Sequence, residues 1–277
     1  MTMTLETDFT PDEIMVVSMA RMIDDNEVVV QGIATPMVAA AFLLARKTHA
    51  PNLKFASAIG QGLCQTPAPL SILNIEKLWL DQALSNIGFV RTAADILPNL
   101  RPKEFFRPAQ IDRNGNFNNI AFGANYEKPR MRLPGSGGIP DVTTFIDKIY
   151  LYVPRHTKVT FVQQLDFLSG LGYHPDRTKG NGPRAVITNL GIFKFVDGIM
   201  NLASIHPGVT LNKIRMKTGF DLRISVQIPE TKPPSNEELT LLRYDIDPLS
   251  IRKLEMLSGA SRRKLLKEII IAEKYQA

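Results

Sequence analysis

The chain has 277 residues, of which 44% are hydrophobic and 22% charged, and its formal net charge is +6. This composition is typical of an ordinary globular protein and excludes a low-complexity or fibrous chain, while the length suits one α/β core. Cys64 is the only cysteine, which excludes an intrachain disulfide, and the N-terminus lacks the basic start and apolar run of a signal peptide. A cytoplasmic protein is therefore expected.

The excess of basic residues does not indicate a nucleic-acid partner. Many of them follow Arg243, where they alternate with leucine and isoleucine at helical spacing. This pattern predicts an amphipathic C-terminal helix with a solvated basic face, with a partner or phosphate contact as the alternative. No membrane span is expected either, because Gln31, Gly32 and Pro36 interrupt the uncharged stretch 28–45, which is near transmembrane length.

The N-terminal third predicts a helix followed by a strand–helix–strand unit. Thr10, Pro11 and the acids after them form a helix start, and apolar residues continue to Ile23. A β-branched run ends at Gly32, Pro36 opens the next helix, and a second apolar run covers 53–59. A βαβ unit of this kind predicts parallel strands at this end of the sheet.

The rest of the chain predicts further strands separated by a long region of loops. Four strands are predicted at Ile149–Val153, Lys158–Val162, Ala185–Thr188 and Ile192–Phe195. Loops dominate 103–141, and 229–238 predicts a polar connector. The predicted division is a main domain over 10–248 and a C-terminal helical extension over 249–277.

A glycine-rich loop is the strongest local motif. Within KPRMRLPGSGGIPD, Gly135, Gly137 and Gly138 permit positive φ angles, so that backbone amides can converge on an anionic oxygen. A plain tight turn is the alternative, since glycine clusters mainly mark turns.

Several motifs in a fixed order connect this loop to a known family. They include GIATP, THAPNL, AQIDRNGNFN, KPRMRLPGSGG, GPRAVITNLGIFKF and HPGVT. Over about residues 10–248 the chain resembles the β-type subunit of class I CoA-transferases, typified by glutaconate CoA-transferase. The resemblance implies an open, largely parallel α/β sheet flanked by helices, the CoA-transferase (NagB/RpiA-like) fold. It also implies an α-type partner subunit and a coenzyme A thioester as substrate, with no bound cofactor.

The resemblance also implies a set of residues that bind the acyl-CoA. The loop residues Gly135, Ser136, Gly137 and Gly138 match the element that holds the thioester carbonyl. The remaining members of the expected set are Gly32, Ala58, Gly60, Gln110 and Arg107. Arg107 departs from the small residues that the family generally has there, and it is expected to reshape the pocket or bind a substrate carboxylate. Lys128, Arg130 and Arg132 flank the loop, where they either attract the phosphates of CoA or are simply solvated.

One departure from the family pattern bears on the reaction. Related transferases use a glutamate that attacks the thioester, but no acidic residue lies between Lys47 and Ile75. Ungapped counting places Ala58 at the glutamate position, and a two-residue deletion would place Ala56 there. Ser57 and Cys64 are the candidate catalytic residues that could replace the glutamate. Ser57 is expected to point to the face of its strand opposite to Ala56 and Ala58, and Cys64 lies in a predicted loop from which it would reach the site. A buried, unreactive cysteine is the alternative.

Three functions follow from this departure. The chain resembles in particular the branch without the glutamate, which includes a glutaconyl-CoA decarboxylase and a steroid-ring-cleaving acyl-CoA hydrolase, so decarboxylation or carbon–carbon hydrolysis is expected. CoA transfer with a carboxylate from the partner and a catalytically silent subunit are the alternatives. The four histidines show no spacing typical of a triad or a metal site.

Overall fold

The structure, a computed structural model, describes residues 8–32, 35–57, 62–64, 66–225 and 227–276. These residues form two compact units. Unit 1 contains the described residues up to Phe89 and those from Lys232 onward, and unit 2 is Val90–Thr231. The segment after Pro248, which the sequence predicts to be an extension, is therefore part of unit 1.

Unit 1 begins with the predicted helix, α1, which spans Pro11–Ala20 and ends three residues before Ile23. The Thr10 amide donates a hydrogen bond to Glu13 Oε2 at 2.9 Å, which satisfies one amide at the helix start. Helix α2 spans Pro36–Thr48 and starts at the predicted proline. Its residues 37–45 are all buried, so this helix belongs to the core of unit 1.

The sheet of unit 1 contains the predicted strand–helix–strand unit. Its strands, in both chain order and spatial order, are β1 Val28–Gln31, β2 Lys54–Ser57, β3 Gly62–Cys64 and β4 Ala83–Asn86. Strands β1 and β2 are parallel, as predicted, and the β2–β3 and β3–β4 pairs are antiparallel. Helix α3, Ile75–Asp81, connects β3 to β4.

The C-terminal residues return to unit 1 as a series of helices. They are α8 Asn236–Thr240, a π-helical turn Leu241–Ile246, a 3-10 turn Ile251–Glu255 and α9 Gly259–Gln276. Glu255 accepts a hydrogen bond from the Met37 amide at 3.0 Å and so caps the start of α2. Glu273, on α9, accepts from the amides of Ile72 and Leu73, each at 2.8 Å. Carboxylates from the end of the chain thus fix two segments of its N-terminal part.

A buried charge cluster joins the two ends of the chain within unit 1. Arg252 is only 1% exposed, and its guanidinium donates to Asp247 at 2.8 Å and to Glu13 at 3.0 Å. Its Nε also lies 2.8 Å from Asp12, an ion pair without hydrogen-bond alignment. Burial acts to raise the pKa of Glu13, but hydrogen bonds from Arg243 and Thr10 and the nearby guanidinium charges outweigh it and lower this pKa to about 2.

Unit 2 is built on a six-stranded mixed sheet. Its spatial order is β14–β13–β12–β11–β10–β5, and the strands are β5 Glu104–Phe106, β10 Ile149–Val153, β11 Ala185–Thr188, β12 Gly191–Val196, β13 Ile199–Ile205 and β14 Arg223–Ile224. The pairs β5–β10, β10–β11 and β13–β14 are parallel, and β11–β12 and β12–β13 are antiparallel. Two short hairpins, β6–β7 and β8–β9, comprise Gln110–Ile111, Phe117–Asn118, Ala121–Phe122 and Met131–Arg132.

The helices associated with unit 2 are short. They are α4 Phe89–Arg91, which begins at the end of unit 1, then the π-helical turn Thr92–Ile96, α5 Leu97–Leu100, α6 Ile139–Phe145 and α7 Leu211–Lys217.

Three of the four later strand predictions are confirmed, at β10, β11 and β12. The prediction for Lys158–Val162 is wrong, because this segment forms a turn in which the amides of Thr160 and Phe161 donate to the Thr157 carbonyl. Phe161 forms an isolated β-bridge with Ile111 of the β6–β7 hairpin, and its ring stacks on that of His156 with the ring centres 3.7 Å apart. Phe161 is the one buried residue of this segment and Val159 is 60% exposed, so the β-branched residues do not form a buried strand here.

Candidate functional site

The predicted site residues are distributed over both units. Gly32, Ser57 and Cys64 lie in unit 1, whereas Arg107, Gln110 and the glycine loop lie in unit 2. Ala58 and Gly60 fall outside the described residues, so their assignment stays a prediction.

In unit 1 the relevant feature is the edge where β1 and β2 end. The two strands run in parallel with Gln31 opposite Ser57, so their carboxyl ends lie side by side. Ligands of open α/β sheets bind at such edges. Ser57 is fully buried, and strand alternation places it on the opposite face from Ala56, which is also fully buried. The next position along the chain is Ala58, the one expected to replace the glutamate.

A small hydrogen-bonded turn leads from β1 into α2. The Thr35 hydroxyl donates to the Gly32 carbonyl at 3.2 Å, and Gln31 Nε2 donates to Thr35 Oγ1 at 3.2 Å. Within the part of the chain that the structure describes, a Cβ atom added at Gly32 would meet Thr35 alone, at 3.8 Å, which is an ordinary contact. The turn fixes the side chain of Gln31 at the end of the strand.

Cys64 lies on strand β3, opposite Phe55, and not in a loop as the sequence suggests. The side chain is 3% exposed, and its Sγ donates to the Trp79 carbonyl at 3.8 Å. Burial raises the pKa of the thiol, which disfavours the reactive thiolate. These properties are those of the buried, unreactive cysteine that was the alternative.

In unit 2 the glycine loop leads directly into α6. Gly135 and Gly137 have φ angles of 108° and 51°, a region that only glycine enters easily. The Gly135 amide donates to the Asn119 carbonyl at 3.2 Å, and the Ser136 carbonyl accepts from Ile139 at 3.0 Å. The amides of Gly137 and Gly138, in contrast, donate to no atom of the residues that the structure describes. Two of the three expected amides are thus available to an anionic oxygen.

Gln110 belongs to the framework that holds this loop. Its Oε1 accepts from Asn118 at 2.7 Å, and its Nε2 donates to Asp166 at 3.1 Å. The neighbouring Asn119 accepts from the Ala109 amide at 2.8 Å and, through its own carbonyl, from Gly135. The structure therefore brings Gln110 and the glycine loop together, with Gln110 supporting the hairpin from which the loop is held.

The DRNGN part of the AQIDRNGNFN motif has a structural explanation. Asp112 Oδ1 accepts from the amides of Asn114 and Asn116 at 2.8 and 2.9 Å, closing a turn. Gly115 has φ 77°, and a Cβ atom there would lie 2.8 Å from the Phe195 ring. Asp112 and Gly115 thus have structural roles in this turn.

The basic residues near the loop are exposed. Arg107, Lys128 and Arg130 all lie on the surface, as does Arg132. Arg132 Nη2 donates to the Tyr126 carbonyl at 2.8 Å, and its guanidinium lies 4.5 Å from the centre of the Tyr126 ring. Arg132 is thus held in place on the surface, where a phosphate would have access to it.

Arg177 is a functional candidate that no sequence pattern marks. Its guanidinium donates to the carbonyls of Thr143 and Ile146 at the end of α6, and to Leu171 at 3.1 Å. A cation at a helix C-terminus satisfies carbonyls that lack partners within the helix. Since α6 begins at the glycine loop, Arg177 fixes the other end of the element that carries the loop.

Two buried histidines of unit 2 both contact Thr188. His156 Nδ1 lies 3.4 Å from Thr188 Oγ1, and His206 Nε2 donates to the Thr188 carbonyl at 2.8 Å. Burial lowers the pKa of His156 to about 3 and that of His206 to about 4, so both are neutral at pH 7. Their partners are threonines and a backbone carbonyl, which indicates a structural role.

A model of the coenzyme A transferase family matches residues 13–217, which include the glycine loop and the Asp112–Asn116 turn. The chain belongs to this family. The predicted resemblance and the predicted α/β fold are both confirmed.

The relatives carry different activities. One subunit of the 3-oxoadipate CoA-transferase of Pseudomonas knackmussii is 31% identical over 260 residues, which cover 85% of this chain and 92% of that protein. The cholesterol ring-cleaving hydrolase IpdB subunit of Mycobacterium tuberculosis is 30% identical over 262 residues, covering 90% and 99%. The crystal structure of the decarboxylase AibA/AibB superposes with a TM-score of 0.77 at 28% identity, covering 89% of this chain and 98% of that one.

Neither a metal centre nor a membrane span occurs in the part of the chain that the structure describes. These residues contain no group of three or more histidine, cysteine, aspartate or glutamate side chains arranged to hold a metal ion. Among the same residues, no helix is both long and apolar enough to cross a membrane.

Proposed function

We propose that this chain is the β-type subunit of a two-component cytoplasmic enzyme that acts on an acyl-CoA thioester by decarboxylation or carbon–carbon hydrolysis. The observation that carries the proposal is the sequence at the end of β2, where Ala58 follows Ser57 and no acid occurs between Lys47 and Ile75. The resemblance implies that transferases of this family generally use a reusable carboxylate at this position. The α-type partner, which relatives such as AibA/AibB have, would complete the enzyme.

The chemistry of decarboxylation suits a site without this carboxylate. An enzyme carboxylate would repel the carboxylate of a substrate such as glutaconyl-CoA. When CO₂ leaves, the electrons of the broken carbon–carbon bond pass into the conjugated thioester and form a dienolate. The amides of Gly137 and Gly138 would stabilise its negative oxygen, and a proton then completes the product. The reaction requires no bound cofactor.

Carbon–carbon hydrolysis would use the same amides but adds a water molecule across the broken bond. Its general acid or base would come from the α-type partner.

CoA transfer with a carboxylate from the partner is the second candidate. The 31% identity to the 3-oxoadipate CoA-transferase relative favours it. In that case the partner would provide the nucleophile, and the loop would serve the same oxyanion role.

One assay separates these functions. The chain is co-expressed with its α-type partner, and the complex receives glutaconyl-CoA alone or together with acetate, with products followed by mass spectrometry. We expect loss of CO₂, or a hydrolysis product, in both mixtures. Acetyl-CoA in the second mixture would overturn the proposal in favour of transfer, and no turnover in either would leave binding as the function.

A substitution tests the position of the missing nucleophile. In Ala58→Glu, we expect the complex to gain transferase or thioesterase activity, because a carboxylate would again face the thioester. Thr66→Glu is the control, since Thr66 is exposed and lies in the same acid-free stretch. A folded Ala58→Glu complex that binds acyl-CoA without either activity would show that Ala58 is not at the nucleophile position.

A further inference from the structure

An exposed pair of aromatic rings lies at the connection between β8 and β9 in unit 2. The ring centres of Tyr126 and Phe167 are 5.4 Å apart, yet the two side chains are 55% and 37% exposed. Leu168, the next residue along the chain, is also exposed, at 42%. Large apolar side chains that are exposed together, in contrast to single ones, mark a surface that binds a partner or a ligand.

Hydrogen bonds hold this aromatic pair in place. Arg132 Nη2 donates to the Tyr126 carbonyl at 2.8 Å, and the guanidinium carbon lies 4.5 Å from the centre of the Tyr126 ring. Asp166, which precedes Phe167 in the chain, accepts from the Gly123 amide at 2.9 Å. A surface that is already ordered has less conformational entropy to lose when a ligand binds.

The aromatic pair and the glycine loop share a framework within unit 2. Asp166 also accepts from Gln110 Nε2 at 3.1 Å, and Gln110 supports the hairpin that holds the loop. Arg132 and Gly137 are five residues apart, so their Cα atoms lie within roughly 17 Å of each other. The pantetheine arm of CoA, which separates the thioester from the adenosine phosphates, has a comparable reach. A ligand whose carbonyl lies at the loop can therefore extend to the aromatic pair.

The charge around the pair restricts what binds there. The segment 126–132, YEKPRMR, contains Lys128, Arg130 and Arg132 but a single acid, Glu127, and its three cations are all exposed. Nucleic-acid bases stack on aromatic side chains and on guanidinium planes, while phosphates attract lysine and arginine. A base that carries phosphates uses both features of this surface. The adenosine end of CoA is such a group.

We propose that the adenine ring of the acyl-CoA stacks on Tyr126 and Phe167, with its phosphates beside the exposed cations of segment 126–132. The inference rests on the proposed acyl-CoA substrate and assigns the adenine end of that substrate to the connection between β8 and β9. Tyr126 and Phe167 are then substrate-binding residues that contribute to affinity and take no part in the chemical step.

The test removes the aromatic ring from the protein and the adenosine end from the substrate in turn. The complex with the α-type partner is prepared as wild type, Tyr126→Ala and Phe167→Ala. Each receives glutaconyl-CoA or glutaconyl-pantetheine, which has the same thioester arm without adenosine or phosphates. Tyr275→Ala is the matched control, because Tyr275 is 88% exposed and lies on α9 in unit 1.

We expect Tyr126→Ala to lower kcat/KM for glutaconyl-CoA by at least roughly 5-fold, mainly through a higher KM, which is the usual effect of losing one stacked base. Phe167→Ala should act in the same direction. Both variants should keep the wild-type kcat/KM for glutaconyl-pantetheine, which also shows that they fold, and Tyr275→Ala should change neither value. Calorimetry should show the Kd for CoA itself rising by the same factor in Tyr126→Ala, whatever the acyl group.

A second probe separates the base from its phosphates without any variant. Adenosine 3′,5′-bisphosphate should inhibit the wild-type complex in competition with glutaconyl-CoA, and the same bisphosphate without its base should inhibit less. Equal inhibition by the two compounds would show that the cations alone bind this end of the substrate, and it would overturn the inference.

Two further results would contradict the stacking. In Tyr126→Ala, equal losses with glutaconyl-CoA and glutaconyl-pantetheine, or no loss with either, would overturn the inference. Failure of this variant to assemble with the α-type partner would do the same, because the aromatic pair would then be a contact between subunits.

The wild-type complex distinguishes failure of this inference from failure of the proposed function. If it neither binds CoA nor turns over acyl-CoA, both fall together. If it turns over glutaconyl-CoA and glutaconyl-pantetheine with equal kcat/KM, the acyl-CoA function stands and only the adenine assignment is lost.

Discussion

Replacing Arg252 with methionine should strongly destabilise unit 1. The guanidinium is 1% exposed and pairs with three carboxylates, those of Asp12, Glu13 and Asp247. Without it, Glu13 keeps its bond to Arg243 at 2.7 Å. Asp247 keeps the Ile251 amide, also at 2.7 Å. Asp12, which is 4% exposed, loses the one cation paired with it among the described residues.

Breaking a buried ion pair by removing one partner costs about 3–5 kcal/mol of unfolding free energy, because a buried charge is left uncompensated. At about 2–4 °C per kcal/mol for a domain of 150–250 residues, the melting temperature should fall by roughly 6–20 °C. Urea unfolding and thermal melts followed by circular dichroism measure both quantities. In the double variant that adds Asp12→Asn, we expect partial recovery, since the unpaired charge is gone.

Lys77→Met provides the matched control. Lys77 pairs with Asp81 at 2.6 Å, but both side chains are more than half exposed, so water and salt screen this pair. Its loss should cost less than about 0.5 kcal/mol. A loss below about 1 kcal/mol for Arg252→Met, similar to that of the control, would refute the reasoning that the buried cluster is a major source of stability.

Three further predictions concern protonation, thiol reactivity and the glycine loop. Because His156 and His206 have pKa values of about 3 and 4 when folded but about 6.5 when unfolded, unfolding takes up protons below pH 6.5. The stability that they contribute is complete above pH 6.5 and is lost as the pH falls toward 4, by about 1.4 kcal/mol of unfolding free energy per pH unit for each histidine. In His206→Gln, urea titrations should therefore show an unfolding free energy that depends less steeply on pH. Cys64 should react with a thiol reagent only after urea is added, and rapid labelling of the native chain would show that β3 opens easily. Arg177→Gln should lower kcat/KM of the complex by disordering the end of α6, and Arg177→Lys should recover part of the lost kcat/KM. Equal kcat/KM values for the wild type and both variants would show that the glycine loop does not depend on Arg177.

Local sequence signals correctly predicted the elements with strong start signals and regular periodicity. Pro11 and Pro36 mark the starts of α1 and α2, and the β-branched run before Gly32 forms β1. These signals depend on neighbours within a few residues, which is why one chain segment is enough to interpret them.

The errors arose where distant contacts decide the structure. The Lys158–Val162 segment has the composition of a strand, but the stacking of Phe161 on His156 and on the core favours a turn. Cys64 lies in a strand because its segment, β3, pairs with β2 on one side and with β4 on the other. Neither partner can be identified from the local sequence.

The candidate site could be predicted only in part, because some of its residues depend on local sequence and others on distant contacts. The glycine loop was recognisable because positive φ angles require glycine. Arg177 and Asn119, which hold that loop, depend on contacts with segments far along the chain, and no local pattern distinguishes them from surface residues. Asp12 appeared to be an ordinary acid in a first helical turn until Arg252, 240 positions later, accounted for its burial.

Unit 1 is formed by two segments that are separated along the chain, and this determines the order in which the two units can fold during synthesis. Glu13 and Arg252 are 239 residues apart, and all of unit 2 lies between them. At 5–20 residues per second, a ribosome needs roughly 12–50 s to cover this interval. During that time the carboxylates of α1 have no guanidinium to pair with, while the continuous unit 2 can already be complete. The N-terminal unit therefore begins synthesis first and finishes folding last, and a chain that is cut short before Arg252 leaves unit 1 without its central cation.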